Sequence, residues 1–402
     1  MTSNNSRYTI PALASILYFS QGFPFGIVNE TVNLYLSAAK VDLGTIGLIG
    51  SVGIIWTLKF LWAPLVDTIG TYRMWMFGAL AVLSLSLAAL GTLPPASLPF
   101  WTALVVLVVA SATQDIAIDA TAIRITPAKL LGLVNSARVA SFRVAMIAAG
   151  GGLAVIAGST GWRAAFFIAA AVPLVILGIL VFAAPNESGT SEKRENPLRA
   201  LLDWVRRPHA LALIAVILLY RLGDNAMMAM IRPYWVSRGF TVAEVGNVTT
   251  TLGMICTIAG AIAGGAFVTR YGVYRGLLTL GILQMLSNLA YALVATTGAG
   301  RPALYGSAII EAFCGGLGTA AFLSFLMFIC DRDNAATEYA LLSAIFGVGR
   351  TFAIAISGYL AQDLGFARFY WLTAALALPG LALLPLIRER VAGAATATAV
   401  EP

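Results

Sequence analysis

Twelve stretches of this chain are long and apolar enough to cross a bilayer, and that property excludes most folds. About 20 consecutive apolar residues span the hydrocarbon core. Such runs lie at roughly 9–38, 44–66, 74–94, 98–122, 132–157, 164–183, 210–236, 242–269, 275–297, 303–330, 339–361 and 366–387. Of 402 residues, 59% are hydrophobic and only 11% charged, whereas a soluble domain carries about 25% charged residues. Backbone N–H and C=O groups inside lipid need internal partners, so these runs read as helices. The expected fold class is an all-α membrane protein. The first run continues for about 30 residues after a short polar head, without a small-residue cleavage site, and reads as a retained helix rather than a signal peptide.

The net charge of +7 is informative by position. With loops assigned alternately, the side holding both termini carries 14 Lys and Arg and the other side 5. The positive-inside rule then places both termini in the cytoplasm. The basic balance comes from this asymmetry, so a nucleic-acid partner is not expected; the expected partners are the bilayer and a small-molecule substrate, with the chain acting as a monomer. Cys256, Cys314 and Cys330 lie in apolar runs without paired spacing, and His209 is the only histidine. Neither a disulfide framework nor a metal site is indicated.

The long polar connection Asn186–His209 divides the runs six and six. The expected organisation is a bundle at 1–185, a cytoplasmic linker at 186–209, a second bundle at 210–390 and a short cytoplasmic tail at 391–402. "APLVDTIGTYR" (Ala63–Arg73) aligns with "GAFVTRYGVYR" (Gly265–Arg275), pairing Gly70 with Gly272 and Arg73 with Arg275. "NSARVASFR" (Asn135–Arg143) aligns with "LSAIFGVGR" (Leu342–Arg350), pairing Arg143 with Arg350. Together they support a parallel six-helix repeat of the kind that builds major facilitator transporters. "DTIGTYR" resembles a short form of that superfamily's signature between helices two and three. A tight Gly turn there presents Asp67 and Arg73 to neighbouring helix ends, giving Asp67, Gly70, Arg73 and Arg275 as gating candidates. The plainer reading is an ordinary cytoplasmic turn.

Ionisable groups at membrane depth cost about 2.5–3.5 kcal/mol on insertion scales, so each needs a partner, a cavity or a task. Glu30, Lys59, Asp115, Asp119, Arg138, Arg143, Arg221, Asp224, Arg232, Glu311 and Arg350 all qualify. Asp115 and Asp119 share a helix face at i,i+4. Two carboxylates that close do not both ionise readily, so one is expected to hold a proton. Asp115 is the first proton-coupling candidate, Asp224 the second and Asp119 the third. Asp119 has a second reading as a solvated helix-end charge, Asp115 one as a buried pair with Arg143, and Lys59 one as a snorkelling interfacial residue. Arg221 and Asp224, at i,i+3, have the reading of mutual neutralisation. Glu30 is either a mouth charge or a substrate contact.

Gly22, Pro24 and Gly26 interrupt the first run, and Gly223, Asn225 and Pro233 the seventh. Irregular segments at corresponding places in two halves point to a substrate site. Lys59, Arg143 and Arg350 are candidates for recognising substrate charge, with Arg221, Glu30 and Glu311 also in the set. Gln21, Gln114 and Asn225 offer neutral hydrogen bonds, and Phe23, Phe25, Trp56 and Tyr220 offer rings for stacking. The sequence has no ATP-binding loop of the G-x-x-x-x-G-K-[ST] type, no metal cluster and no hydrolase triad. It is not expected to be an enzyme, and it needs no bound cofactor if an ion gradient supplies the energy.

Further motifs carry a closer likeness: "LYFSQGFPFG" (Leu17–Gly26), "KFLWAPLVD" (Lys59–Asp67), "ATQDIAIDA" (Ala112–Ala120), "YRLGDN" (Tyr220–Asn225) and "ATEYALLSAIFGVGRTF" (Ala336–Phe352). The chain resembles the AmpG-like branch of the major facilitators, within the peptide–acetyl-coenzyme A–drug transporter family. The resemblance covers nearly all spans, although Thr121 stands where a tyrosine is usual. It implies proton-driven uptake across the bacterial inner membrane. It leaves the solute open between a muropeptide, placed first, and a ferric siderophore, with an acetyl-coenzyme A-like solute or a non-transporting sensor further off.

Overall fold

A computed structural model describes residues 3–42, 45, 49, 52–183, 206, 209–241, 244–245, 247–389 and 391. They form α1 (Ser3–Gly26), α2 (Val32–Ala38), α3 (Ile54–Leu58), α4 (Ala63–Thr68), α5 (Tyr72–Leu90), α6 (Leu98–Ile125), α7 (Leu131–Ile147) and α8 (Leu153–Thr160). There follow α9 (Trp162–Ala183), α10 (Ala210–Leu219), α11 (Leu222–Ser237), α12 (Gly253–Tyr271), α13 (Val273–Thr297), α14 (Arg301–Ile329) and α15 (Ala335–Ala382). Ten stretches of described helix are long and apolar enough to span a membrane. One of these, Ala335–Ile387, holds two expected runs joined across Gly365. The expected run at 44–66 lies partly outside the described residues. So does the linker at 186–209, apart from Arg206 and His209, and the tail at 391–402, apart from Val391.

Large apolar side chains point outward along these helices. Leu85 is 71% exposed, Val155 75%, Leu211 78% and Phe182 91%. Water would penalise each by about 1.5–3 kcal/mol relative to burial, and a lipid surround removes that penalty.

The internal repeat is written in the turns. Positive φ occurs at Lys40 and Gly239, at Gly70 and Gly272, at Ala96 and Gly298, and at Gly161 and Gly365. Each pair is separated by 199 to 204 residues, so four turns of the first half recur in the second with the same positive φ. Gly70 precedes α5, whose N-cap is Thr71, its hydroxyl accepting from the Met74 N–H. Gly adopts this region without steric cost; Lys40 and Ala96 do so against preference.

Packing divides the chain into two compact units. The first contains Met1–Ile125, Ser141–Leu201 and Cys330–Leu341, and the second Thr126–Ala140, Leu202–Ile329 and Leu342–Pro402. The first unit's core joins Phe23, Leu87, Phe100, Leu104 and Phe166, with the Tyr35 ring 5.9 Å from Phe100, 5.3 Å from Trp162 and 5.2 Å from Phe166. The second unit's core centres on Trp235, Tyr291, Phe369 and Tyr370, where the Trp235 indole N–H donates to the Tyr291 hydroxyl at 3.2 Å.

The start of α7 belongs to the second unit because small residues let α12 approach it. Ser136 Oγ donates to the Ala261 carbonyl at 2.9 Å, and a Cβ at Gly132 would collide with the Gly265 backbone and with Thr269. Gly132→Ala should therefore overpack this crossing, at a cost of about 1–3 kcal/mol. A lower apparent melting temperature in detergent is the expected readout. Gly158→Ala, at a site with open space around it, should show no such loss.

The expected irregularities sit differently in the two halves. The seventh span breaks where expected, between α10 and α11, with Arg221 off helical geometry at φ −111° and ψ 13°. The first span runs unbroken through Gly22 and Pro24 and loosens only in the π-helical turn Ile27–Thr31. Gly22 serves packing instead: a Cβ there would lie 2.6 Å from the Phe142 carbonyl oxygen.

Candidate functional site

In the first unit, α6 delivers Asp115 and Asp119 one turn apart on a fully packed stretch. Opposite them the chain tightens into a 3-10 turn, Lys59–Leu61, between α3 and α4, and Pro64 in the first turn of α4 starts a new helix. This turn places Lys59 Nζ 3.7 Å from Asp115 Oδ2 and 3.7 Å from Asp119 Oδ2. Lys59 is 8% exposed, Asp115 6% and Asp119 2%. Asp119 also accepts from the Tyr18 hydroxyl at 3.2 Å.

This geometry corrects two readings. Lys59 does not snorkel to an interface; it is the buried counter-ion of both acids. Asp119 is not a solvated helix-end charge, because α1 and Lys59 cover it. One ammonium stands against both carboxylates. In a low dielectric, removing either kind of partner leaves a buried charge uncompensated.

Around this cluster the polar groups of α1 and α6 interlock. Gln114 Nε2 donates to Ser20 Oγ at 2.5 Å, Trp56 Nε1 to Ser111 Oγ at 3.3 Å and Trp62 Nε1 to Thr113 Oγ1 at 3.1 Å. Gln21 is 6% exposed, and its Oε1 has no hydrogen-bond partner among the described residues. Phe25 stands 5.0 Å from the Trp56 ring and 5.5 Å from Phe142, and all three are half-buried. Phe23 belongs instead to the core, stacked on Phe19 at 6.1 Å, so it does not offer a free ring. Arg143 is half-buried on α7 beside Met146, and Glu30 is exposed on the π turn, packed against Gly150.

The second unit holds its own charged pair. Arg221 Nη2 meets Asp224 Oδ2, Arg221 Nη1 donates to Thr319 Oγ1 at 2.6 Å, and Gln284 Nε2 donates to Asp224 Oδ1 at 2.6 Å. Arg221 thus neutralises Asp224 and is not an open substrate cation. Tyr220 is structural: its ring stacks on Phe322 at 5.7 Å and its hydroxyl donates to the Leu277 carbonyl at 2.7 Å. Asn225 is half-buried, Arg350 exposed and Glu311 buried.

Asp67 lies in the first unit at the N-terminal turn of α15. Its Oδ1 accepts from Tyr72 Oη at 2.6 Å and from Ala336 N–H at 3.2 Å; its Oδ2 accepts from Thr337 N–H at 2.7 Å and from the Thr337 hydroxyl. Burial holds its carboxyl above the ordinary carboxylate range, and the bonds from Thr337, Tyr72 and Ala336 pull against that rise. Arg73 Nη2 donates to the Val181 carbonyl, in the last turn of α9, at 2.6 Å. The acid therefore sits at a positive helix end and the base at a negative one. Gly70, at φ 66°, makes the turn between them, while Arg275 is exposed at the start of α13. Asp67→Ala should leave the Ala336 and Thr337 amides unmet at a cost of about 1–3 kcal/mol each. Faster hydrogen exchange confined to the first turn of α15 is the expected readout.

Tyr18, Thr319, Thr337, Gln284 and Asn288 were not among the sequence candidates. Only the i,i+4 spacing of Gln284 and Asn288 within an apolar run offered a signal. No group of side chains suited to a metal is present among the described residues.

Comparison with known proteins agrees with the fold. The Major Facilitator Superfamily pattern matches residues 12–234 and 213–401. The anhydromuropeptide permease of Escherichia coli (strain K12) is 34% identical over 390 residues, covering 94% of this chain and 79% of that permease. A Rickettsia conorii protein named as transporter AmpG 4 is 26% identical over 400 residues, covering 94% of this chain and 96% of that one. Among solved structures, a variant of the E. coli fucose:proton symporter FucP superposes with a TM-score of 0.71 at 14% identity, over 95% of this chain and 99% of that one. The proton:xylose symporter XylE gives 0.72 at 13% identity, over 96% of each. At these identities the two structures speak for the fold alone.

Proposed function

The chain belongs to the major facilitator superfamily, on its AmpG-like permease branch, and from that premise we propose that it imports an anhydromuropeptide into the cytoplasm by proton symport. It is a multi-pass membrane transporter, and its relatives are permeases rather than enzymes. The substrate rests on the likeness to the E. coli permease across 94% of the chain. No relative named above is a siderophore importer, and that alternative is not carried forward.

The observation that carries the coupling is Lys59 held between Asp115 and Asp119 in a buried site. Asp119 is the more enclosed of the two acids and accepts from the Tyr18 hydroxyl. Asp115, whose side chain is 9% exposed against 2% for Asp119, is the carboxyl that gains and loses the proton. Protonation of Asp115 leaves Lys59 to Asp119 alone and removes one charge from the strip. In the first unit the rings of Phe25 and Trp56 serve sugar faces, and Gln21 and Arg143 serve the amides and carboxylates of the peptide; in the second unit Arg350 is a separate candidate for substrate charge. Asp67, Gly70, Arg73 and Arg275 act as gating residues. The site operates in the inner membrane of a bacterium, in a monomer with cytoplasmic termini.

Uptake into proteoliposomes tests the reading. Labelled N-acetylglucosaminyl-anhydromuramyl-peptide should accumulate when the outside is acidic and stop when the pH gradient is collapsed. Uptake indifferent to the gradient removes the symport; no uptake of this solute beside active uptake of a ferric siderophore removes the substrate.

A further inference from the structure

A second buried polar cluster lies in the second unit, apart from Lys59 and its acids. Gln284 and Asn288 stand four residues apart on α13, 8% and 0% exposed. Gln284 gives its amide nitrogen to Asp224, while its Oε1 has no hydrogen-bond partner among the described residues. Neither polar atom of Asn288 has one there either. Three such atoms in apolar surroundings cost about 1–3 kcal/mol apiece when nothing meets them. They line, with Arg221 and Asp224, a space of about 10 Å³, which is room for one water. A water suits the set better than a metal cation, because the Asn288 nitrogen is a donor and the Arg221 guanidinium borders the same space.

Glu311, on α14, does not line this space itself but approaches Gln284, which does. Its Oε1 and the Gln284 Oε1 lie 3.5 and 3.8 Å from the point a Cβ on Gly315 would occupy. That keeps the two oxygens within roughly 7 Å of each other, and a separation below about 5.6 Å is one that a single water can bridge. Glu311 also borders a cavity of about 260 Å³ shared with Arg232, Tyr291 and Ala308. The titratable and charged groups facing it are Arg221, Asp224, Arg232, Tyr291, Cys314 and Tyr370. Arg221 is already engaged by Asp224 and Thr319.

We propose that Glu311 is a second proton-binding carboxyl, linked through a water held by Gln284 and Asn288 to the Asp224–Arg221 pair. The proton enters from the larger cavity and converts the Glu311 carboxylate to a carboxyl. Its O–H donates to the water, the water donates to Gln284 Oε1, and the Asn288 N–H donates to the water. No charge then faces Asp224 across this gap. Proton binding at Glu311 does not depend on which solute is carried.

Infrared difference spectroscopy of the full chain in lipid, without solute, tests this directly. A protonated-carboxyl C=O band present near neutral pH and lost on alkaline titration is expected. Glu311→Gln should remove it, Gln284→Leu should shift its frequency, and Asp115→Asn should leave it in place. An unchanged band in Glu311→Gln, or a band that responds to sodium at fixed pH, overturns the proposal. If Glu311→Gln fails to fold, Glu311→Asp takes its place; a band that neither this variant nor Gln284→Leu displaces also overturns it. Loss of the band in Asp115→Asn, with Glu311→Gln normal, assigns the proton to the first site alone.

Discussion

Asp115→Asn abolishes accumulation of solute under an imposed pH gradient and leaves exchange of labelled for unlabelled solute close to the wild-type rate. The substitution keeps the shape of the side chain and takes away only its ability to ionise. Lys59 retains Asp119, 3.7 Å away, and Asp119 retains Tyr18, so the packing of α6 survives. With one proton per solute, each pH unit supports about tenfold accumulation, since about 1.4 kcal/mol is a factor of ten. The variant should equilibrate its solute and go no further. Accumulation at the wild-type level would mean that the coupling proton lies elsewhere. Loss of exchange together with accumulation would make Asp115 a binding or folding residue instead.

Lys59→Met should produce the largest stability loss in the chain. The methionine fills similar volume but leaves Asp115 and Asp119 one turn apart without their shared ammonium. Breaking a buried pair by removing one partner costs about 3–5 kcal/mol, and here one residue serves two carboxylates. Expression in the membrane and the apparent melting temperature in detergent should both fall. Adding Asp119→Asn to Lys59→Met should recover much of the loss, because the strip then keeps a single carboxyl that can hold a proton. A double-mutant cycle separates this coupling from simple additivity; additive losses would show that Lys59 stabilises the unit by packing rather than by charge.

Much of the architecture is legible in the sequence. Apolar runs set the helices, and Gly70 with Gly272 exposed the repeat. The turns at Lys40 and Ala96 were not legible, since neither side chain signals a left-handed backbone; only their partners Gly239 and Gly298 do. The i,i+4 acids of α6 could be read because both lie on one helix. Their counter-ion could not, because Lys59 comes from a turn more than fifty residues earlier. Asp67 was visible as an acid in a turn motif, yet its partner Thr337 lies 270 residues away. Phe23 and Tyr220 were read as rings for a solute and went to the core, since composition does not say which face of a helix packs inward. Gln284 and Asn288 were passed over because uncharged amides barely disturb an apolar run.

The central claim is that solute and proton move together through the Lys59–Asp115–Asp119 cluster. Proteoliposomes loaded with a pH-sensitive dye and held without a pH gradient test it most directly. Adding anhydromuropeptide outside should acidify the lumen in the wild type and leave it unchanged in Asp115→Asn. Solute entry without acidification in the wild type, or equal acidification in the two proteins, would contradict the account.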